Sequence, residues 1–102
     1  MSRVEKIQQM LVSDPDDVFL HFSLAMEYVK QGRYDDALFE FAHVSEMDAD
    51  YVPAYFQRAH TLVTLQRNDE ARQVLQQGIA AAQRVGDTHA ASQMSQMLAL
   101  MG

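Results

Sequence analysis

Apolar residues recur at three- and four-residue intervals along this chain, and no alternating run of strand type interrupts them. Val4, Ile7, Met10 and Leu11 mark a first helix over about Ser2 to Val12. Asp14-Pro15 closes it, because the residue before a proline is driven out of the helical region. A second helix is predicted from about Asp17 to Gln31, capped by Asp16 or Asp17, with Gly32 as a left-handed exit. A third spans about Tyr34 to Met47. Asp48-Ala49-Asp50 separates it from a fourth, which tolerates Pro53 in its first turn and stops near Gln66. A fifth begins near Asn68 as a cap and continues to about Val85. Gly86-Asp87 then reads as a stop followed by a cap, and Thr88 to Met101 forms a sixth helix. The prediction is an all-α chain of short helices with tight connections.

The pattern also repeats. Shifting the chain by 34 residues pairs His21 with Tyr55, Phe22 with Phe56, Ala25 with Ala59, Tyr28 with Leu62, Asp35 with Asp69, Ala37 with Ala71 and Phe41 with Leu75. Large faces large and small faces small. Each unit is a helical hairpin in which Ala25 and Ala37, or Ala59 and Ala71, let the paired helices approach closely.

On these residues the sequence resembles the tetratricopeptide repeat family. The best stretch is Leu24-Ala25, Tyr28, Lys30-Gln31-Gly32-Arg33-Tyr34-Asp35-Asp36-Ala37, Phe41 and Asp48, and the second unit keeps Tyr55, Ala59, Leu62, Asn68-Asp69-Glu70-Ala71 and Leu75. Departures are Arg58 in place of a leucine, Gln66-Arg67 at the glycine turn, which should therefore take a different geometry, and Gly78 in place of alanine. The resemblance implies an antiparallel helical-hairpin solenoid, a right-handed superhelix, in a single domain. Residues 1–15 would be a half repeat, 16–50 and 51–85 two full repeats, and 86–102 a capping helix.

A hairpin needs one apolar stripe on its first helix, yet Val18 to Val29 is apolar almost all round. At about 100° per residue, Leu20, His21, Leu24, Ala25 and Tyr28 fall on one arc, the hairpin core. Phe19, Phe22, Met26 and Val29 fall on the opposite one. The resemblance implies that this second arc lines a concave groove, with Lys30 at its edge and Phe56, His60 and Val63 added by the fourth helix. Such a patch marks a binding site. The alternative is coverage by the chain's own C-terminal helix, which has Ala90, Met94, Met97, Leu98 and Met101 at helical spacing, or by that of a second copy in a homo-oligomer.

Candidate chemistry narrows the picture. The family's carboxylate clamp for heat-shock chaperone tails uses Lys, Asn and Arg, but here Phe22, Met26 and Gln57 hold the corresponding positions. A hydrophobic or helical protein segment is the expected ligand. Met26 is the one site candidate among the seven Met residues, the rest reading as core filler. His60 either donates to a ligand or makes a half-exposed polar contact. His21 and His43 read as structural. Asp35-Asp36 and Asp69-Glu70 sit in first helical turns, where acids complement the helix dipole. The chain shows no phosphate loop, metal-ligand spacing or nucleophile constellation, which points to a protein without catalytic activity or cofactor.

Composition adds limits. The 102 residues are 48% hydrophobic and 22% charged, with no Cys, so neither a disulfide framework nor a thiolate site is available and a cytoplasmic setting is expected. The opening residues do not read as a signal peptide, and no stretch approaches a membrane span. A net charge of −6 disfavours nucleic acid and anionic membranes as partners. The charge is uneven: residues 1–51 carry net −7 and residues 52–102 net +1.

Overall fold

Capping chemistry sets the helix bounds in the computed structural model, which describes residues 1–101; Gly102, the last residue of the expected capping unit, lies outside the described residues. Helix α1 (Arg3–Ser13) starts where Ser2 Oγ accepts the Glu5 N–H at 3.1 Å. Helices α2 (Val18–Lys30) and α6 (Thr88–Leu100) start in the same way, Asp17 accepting from Leu20 and Asp87 from Ala90. Helix α4 (Val52–Thr64) carries Pro53 in its first turn. Helices α3 (Tyr34–Met47) and α5 (Asn68–Val85) follow Arg33 and Arg67, neither of which makes a side-chain cap. Asn68, expected as a cap, is therefore already helical. Arg33 and Arg67 instead reach forward to Asp36 and Glu70 at 2.9 and 2.7 Å.

The two hairpin turns correct one expectation. Gly32 adopts φ 73°, as anticipated, and Gln66 adopts nearly the same left-handed backbone at φ 60°. The hydrogen bonds match as well, Arg33 N–H donating to Tyr28 O at 2.9 Å and Arg67 N–H to Leu62 O at 2.8 Å. Both turns must join antiparallel helices at one separation, and that geometry overrides residue type. A side chain in this region costs roughly 1–2 kcal/mol, while glycine loses more entropy on folding. Gln66→Gly should therefore stabilise the chain by up to about 1 kcal/mol, and Gly32→Ala should destabilise it by about the same, both read from urea denaturation midpoints.

Packing runs between consecutive helices, most densely within the α2–α3 and α4–α5 hairpins. Ala25, Ala37, Phe41 and Val44 are fully buried in a first core cluster, and Ala59, Ala71, Leu75, Ala81 and Met94 are deeply buried in a second. Ala54 of α4 belongs to the first cluster and Leu38 of α3 packs on the second, which joins the hairpins. Gly78 explains itself here: a Cβ would come within 2.6 Å of both Tyr55 Cβ and Met94 Sδ. At the other end Arg3 donates to the buried Glu27 at 2.6 Å, tying α1 to α2. That bond, with help from Lys30 and against the effect of burial, holds the Glu27 carboxyl below its usual range.

Residues 34 apart make equivalent ties. His21 Nε2 meets the Pro15 carbonyl at 2.7 Å, and Tyr55 OH donates to the Ala49 carbonyl, also at 2.7 Å. In both units the first helix is thus pinned to the turn before it. His21 differs in being titratable: its Nδ1 lies 2.8 Å from Glu40 Oε2, so both ring nitrogens face acceptors. Burial opposes the charged ring, but the Pro15 carbonyl, Glu40 and the Asp16 charge together raise its pKa above 6.5. The ring also meets His43 edge-on at 4.8 Å. A raised native pKa means stability fully present below about pH 6.5 and lost as pH rises through the native value. His21→Tyr combined with Glu40→Val, which copies the second unit, should remove this part of the pH dependence of unfolding.

Candidate functional site

Which side of α2 and α4 stays open follows from what each helix must bury. On α2, Leu24, Ala25 and Tyr28 face the first core cluster and Glu27 faces α1. Phe19, Ser23, Met26 and Lys30 are left on the remaining arc, with Phe19 64% exposed. On α4, Tyr55, Ala59 and Leu62 are buried in the second cluster, and Pro53, Phe56 and His60 follow at helical spacing on the open side.

The sequence-predicted residues are not all alike. Phe19, Lys30 and His60 are exposed. Phe22 and Val29 turn toward the core, and the half-buried Phe22 ring lies 5.8 Å from Phe41 and 5.3 Å from Tyr51, centre to centre. Met26, Phe56 and Val63 are half-buried, packed against the clusters beneath them. Lys30 Nζ sits 3.4 Å from Glu27 Oε1 and is not a free cation. Gln57 shares the open side, as its clamp-equivalent position implied, and Ser23 and Pro53 join it without an apolar signal of their own. Their signal was position alone, since small or polar side chains add nothing to an apolar stripe.

The 34-residue register accounts for a cleft at one end of this face. Tyr51 fills the space beside Phe22, whereas Val85, its counterpart, is half exposed. Beside Phe56 a cleft of about 360 Å³ stays open, lined by Val52, Pro53, Phe56, Gln57, Asp87, His89, Ala90, Gln93 and Met94. Helix α6 does not lie along α2. It buries Met94 and half-buries Ala90, Met97 and Leu98 against the second cluster, and exposes Ser92, Ser95 and Gln96. Leu100 is also exposed, at 89%. A second cleft of about 490 Å³, among α3, α4 and α5, is lined by charged Glu46, Arg58 and Arg84 along with Tyr55 and Gln77.

Among the described residues no group of three or more His, Cys, Asp or Glu is gathered to hold a metal ion, and no helix is long and apolar enough to cross a membrane. The acids of the first turns of α3 and α5 are engaged in local ion pairs, Asp36 with Arg33, Glu70 with Arg67 and Asp69 with Arg72.

Comparison with known proteins agrees with this fold. The tetratricopeptide repeat model matches residues 28–97. A tetratricopeptide repeat domain protein from Salinibacter ruber, solved by NMR, is 30% identical with a TM-score of 0.81, over 85% of this chain and 88% of that one. A protein from Bordetella parapertussis is 27% identical with a TM-score of 0.85, over 99% of this chain and 88% of that one. The TPR2B domain of yeast Sti1, solved in complex with pHsp70, is 18% identical with a TM-score of 0.88, over 96% of this chain and 78% of that one, a likeness of fold. No curated protein matches the chain significantly.

Proposed function

The chain belongs to the tetratricopeptide repeat family, and from that premise we propose that it is a non-catalytic binding module whose concave face holds a hydrophobic or helical segment of a partner protein. The observation that supports this reading is the stripe of Phe19, Ser23 and Met26 on α2, where Phe19 stays 64% exposed while α2 packs mainly on α1 and α3. Beside it stand Phe56, His60 and Val63, with Phe22 and Val29 as floor and Lys30 at the rim. Exposed apolar surface gathered into a groove is what a partner's apolar side chains can desolvate, and an aromatic anchor contributes most of that gain. A cysteine-free chain of this kind fits a cytoplasmic setting.

Display of amphipathic helical peptides against the chain tests the reading. Phe19→Ala should weaken retention of the selected peptides by about fivefold or more, while its unfolding free energy stays within about 0.5 kcal/mol of the parent, as befits an exposed site. Unchanged retention would contradict a groove built on Phe19. A mass that doubles with concentration in light scattering would favour self-assembly instead.

A further inference from the structure

Short connections make consecutive helices antiparallel, so α2, α4 and α6 all begin on one edge of the groove. That edge carries Asp14, Asp16 and Asp17 before α2, Asp48 and Asp50 before α4, and Asp87 before α6. Asp17 and Asp48 both lie close to Tyr51. The Tyr51 hydroxyl is pushed up by burial and then by the charges of both Asp17 and Asp48. Asp87 stands at the mouth of the cleft with Pro53 and His89. Among the described residues one cation pairs with these aspartates, Arg84 with Asp50 at 3.0 Å.

The opposite edge is electrically quiet. Lys30 faces Glu27, Arg33 faces Asp36, Arg67 faces Glu70 and Arg72 faces Asp69. Arg33 is further held over the Tyr28 ring at 4.4 Å. Between the two edges the floor of Phe22 and Val29 and the flanking Phe19, Met26 and Phe56 carry no charge. A ligand on this floor therefore feels a one-sided field, negative along the starts of α2 and α4.

We propose that the groove takes a basic amphipathic segment of a partner protein, its apolar side chains on Phe19, Met26 and Phe56 and its Lys or Arg side chains over Asp14, Asp16, Asp17 and Asp48. This rests on the groove reading above and adds the partner's charge. An acidic segment meets repulsion along the aspartate edge, and a second copy of this chain, at net −6 overall and only +1 over residues 52–102, offers no comparable cationic stripe. A cationic stripe is the one complementary choice, and it steers the encounter as well as holding the complex.

The test uses three synthetic helices with one shared apolar face and a Lys-rich, Gln-rich or Glu-rich polar face, titrated into the chain by fluorescence anisotropy. Asp16→Asn with Asp48→Asn serves as the variant, leaving the capping carboxylates of Asp17 and Asp87 in place. At low salt the Lys-rich helix should bind about tenfold or more tighter than the Glu-rich one, and the gap should close as added salt shortens the reach of the field from about 30 Å at 0.01 M to about 3 Å at 1 M. The double variant should bind the Lys-rich helix about threefold or more weakly and the Gln-rich helix unchanged. Equal binding of the Lys-rich and Glu-rich helices, or a variant indifferent to both, would overturn the charge assignment while leaving the groove reading intact. Failure of all three to bind would overturn both. A chain that dimerises on concentration and loses its accessible Phe19 would make a second copy the occupant and overturn the proposal as well.

Discussion

Phe41→Ala should destabilise the chain by about 3–5 kcal/mol, measured as the loss in unfolding free energy by urea denaturation. Phe41 is fully buried and is the largest of the fully buried side chains. It sits in the cluster that takes Ala25 and Tyr28 from α2, Val44 from α3 and Ala54 from α4, so its removal opens space where two hairpins meet. The Phe22 ring rests against it, 5.8 Å away centre to centre. Domains of this size are stable by only about 5–15 kcal/mol, so the variant should stand close to the unfolding threshold. A loss below about 1 kcal/mol would mean that the two hairpins are not joined through Phe41.

Met94→Ala should cost about 2–5 kcal/mol where unfolding is cooperative, and its signature should begin at the C-terminal end. Met94 is the one fully buried residue of α6, and its Sδ reaches the space that the missing Cβ of Gly78 leaves beside Tyr55. Losing the thioether removes the main anchor of α6 on the second cluster. Hydrogen exchange of the Ala91 to Leu98 amides should quicken first, with the amides of α2 and α3 following only at the global rate. Protection of α6 equal to the parent's would show that Ala90, Met97 and Leu98 hold it without Met94.

Much of this fold was legible because the signals are local. Asp17, Asp87, Pro53, Gly32 and Gly86 each state a bound of a helix through the chemistry of one or two residues, and the structure uses all of them. Gln66 was not legible. Its left-handed turn is imposed by the hairpin it closes, and nothing in a glutamine announces φ 60°. Phe22 shows the limit for the site: a helical wheel separates it from Leu24, but only the placement of Tyr51 and Phe41 decides that it leans inward while Phe19 stands free. The His21 tie to Pro15 was hidden for the same reason, because a core position says that a side chain is covered and not what it bonds.

The open face of α2 and α4 is the centre of this account, and chemical-shift mapping measures it most directly. Amide and methyl spectra would be recorded while the Lys-rich amphipathic helix is titrated into isotopically labelled protein. The account predicts that the largest shifts fall on Phe19, Ser23, Met26, Phe56 and His60, with α3 and α5 nearly unchanged. Shifts centred instead on Ala42, Ser45, Arg58 and Gln77, around the larger cleft on α3, α4 and α5, would contradict it.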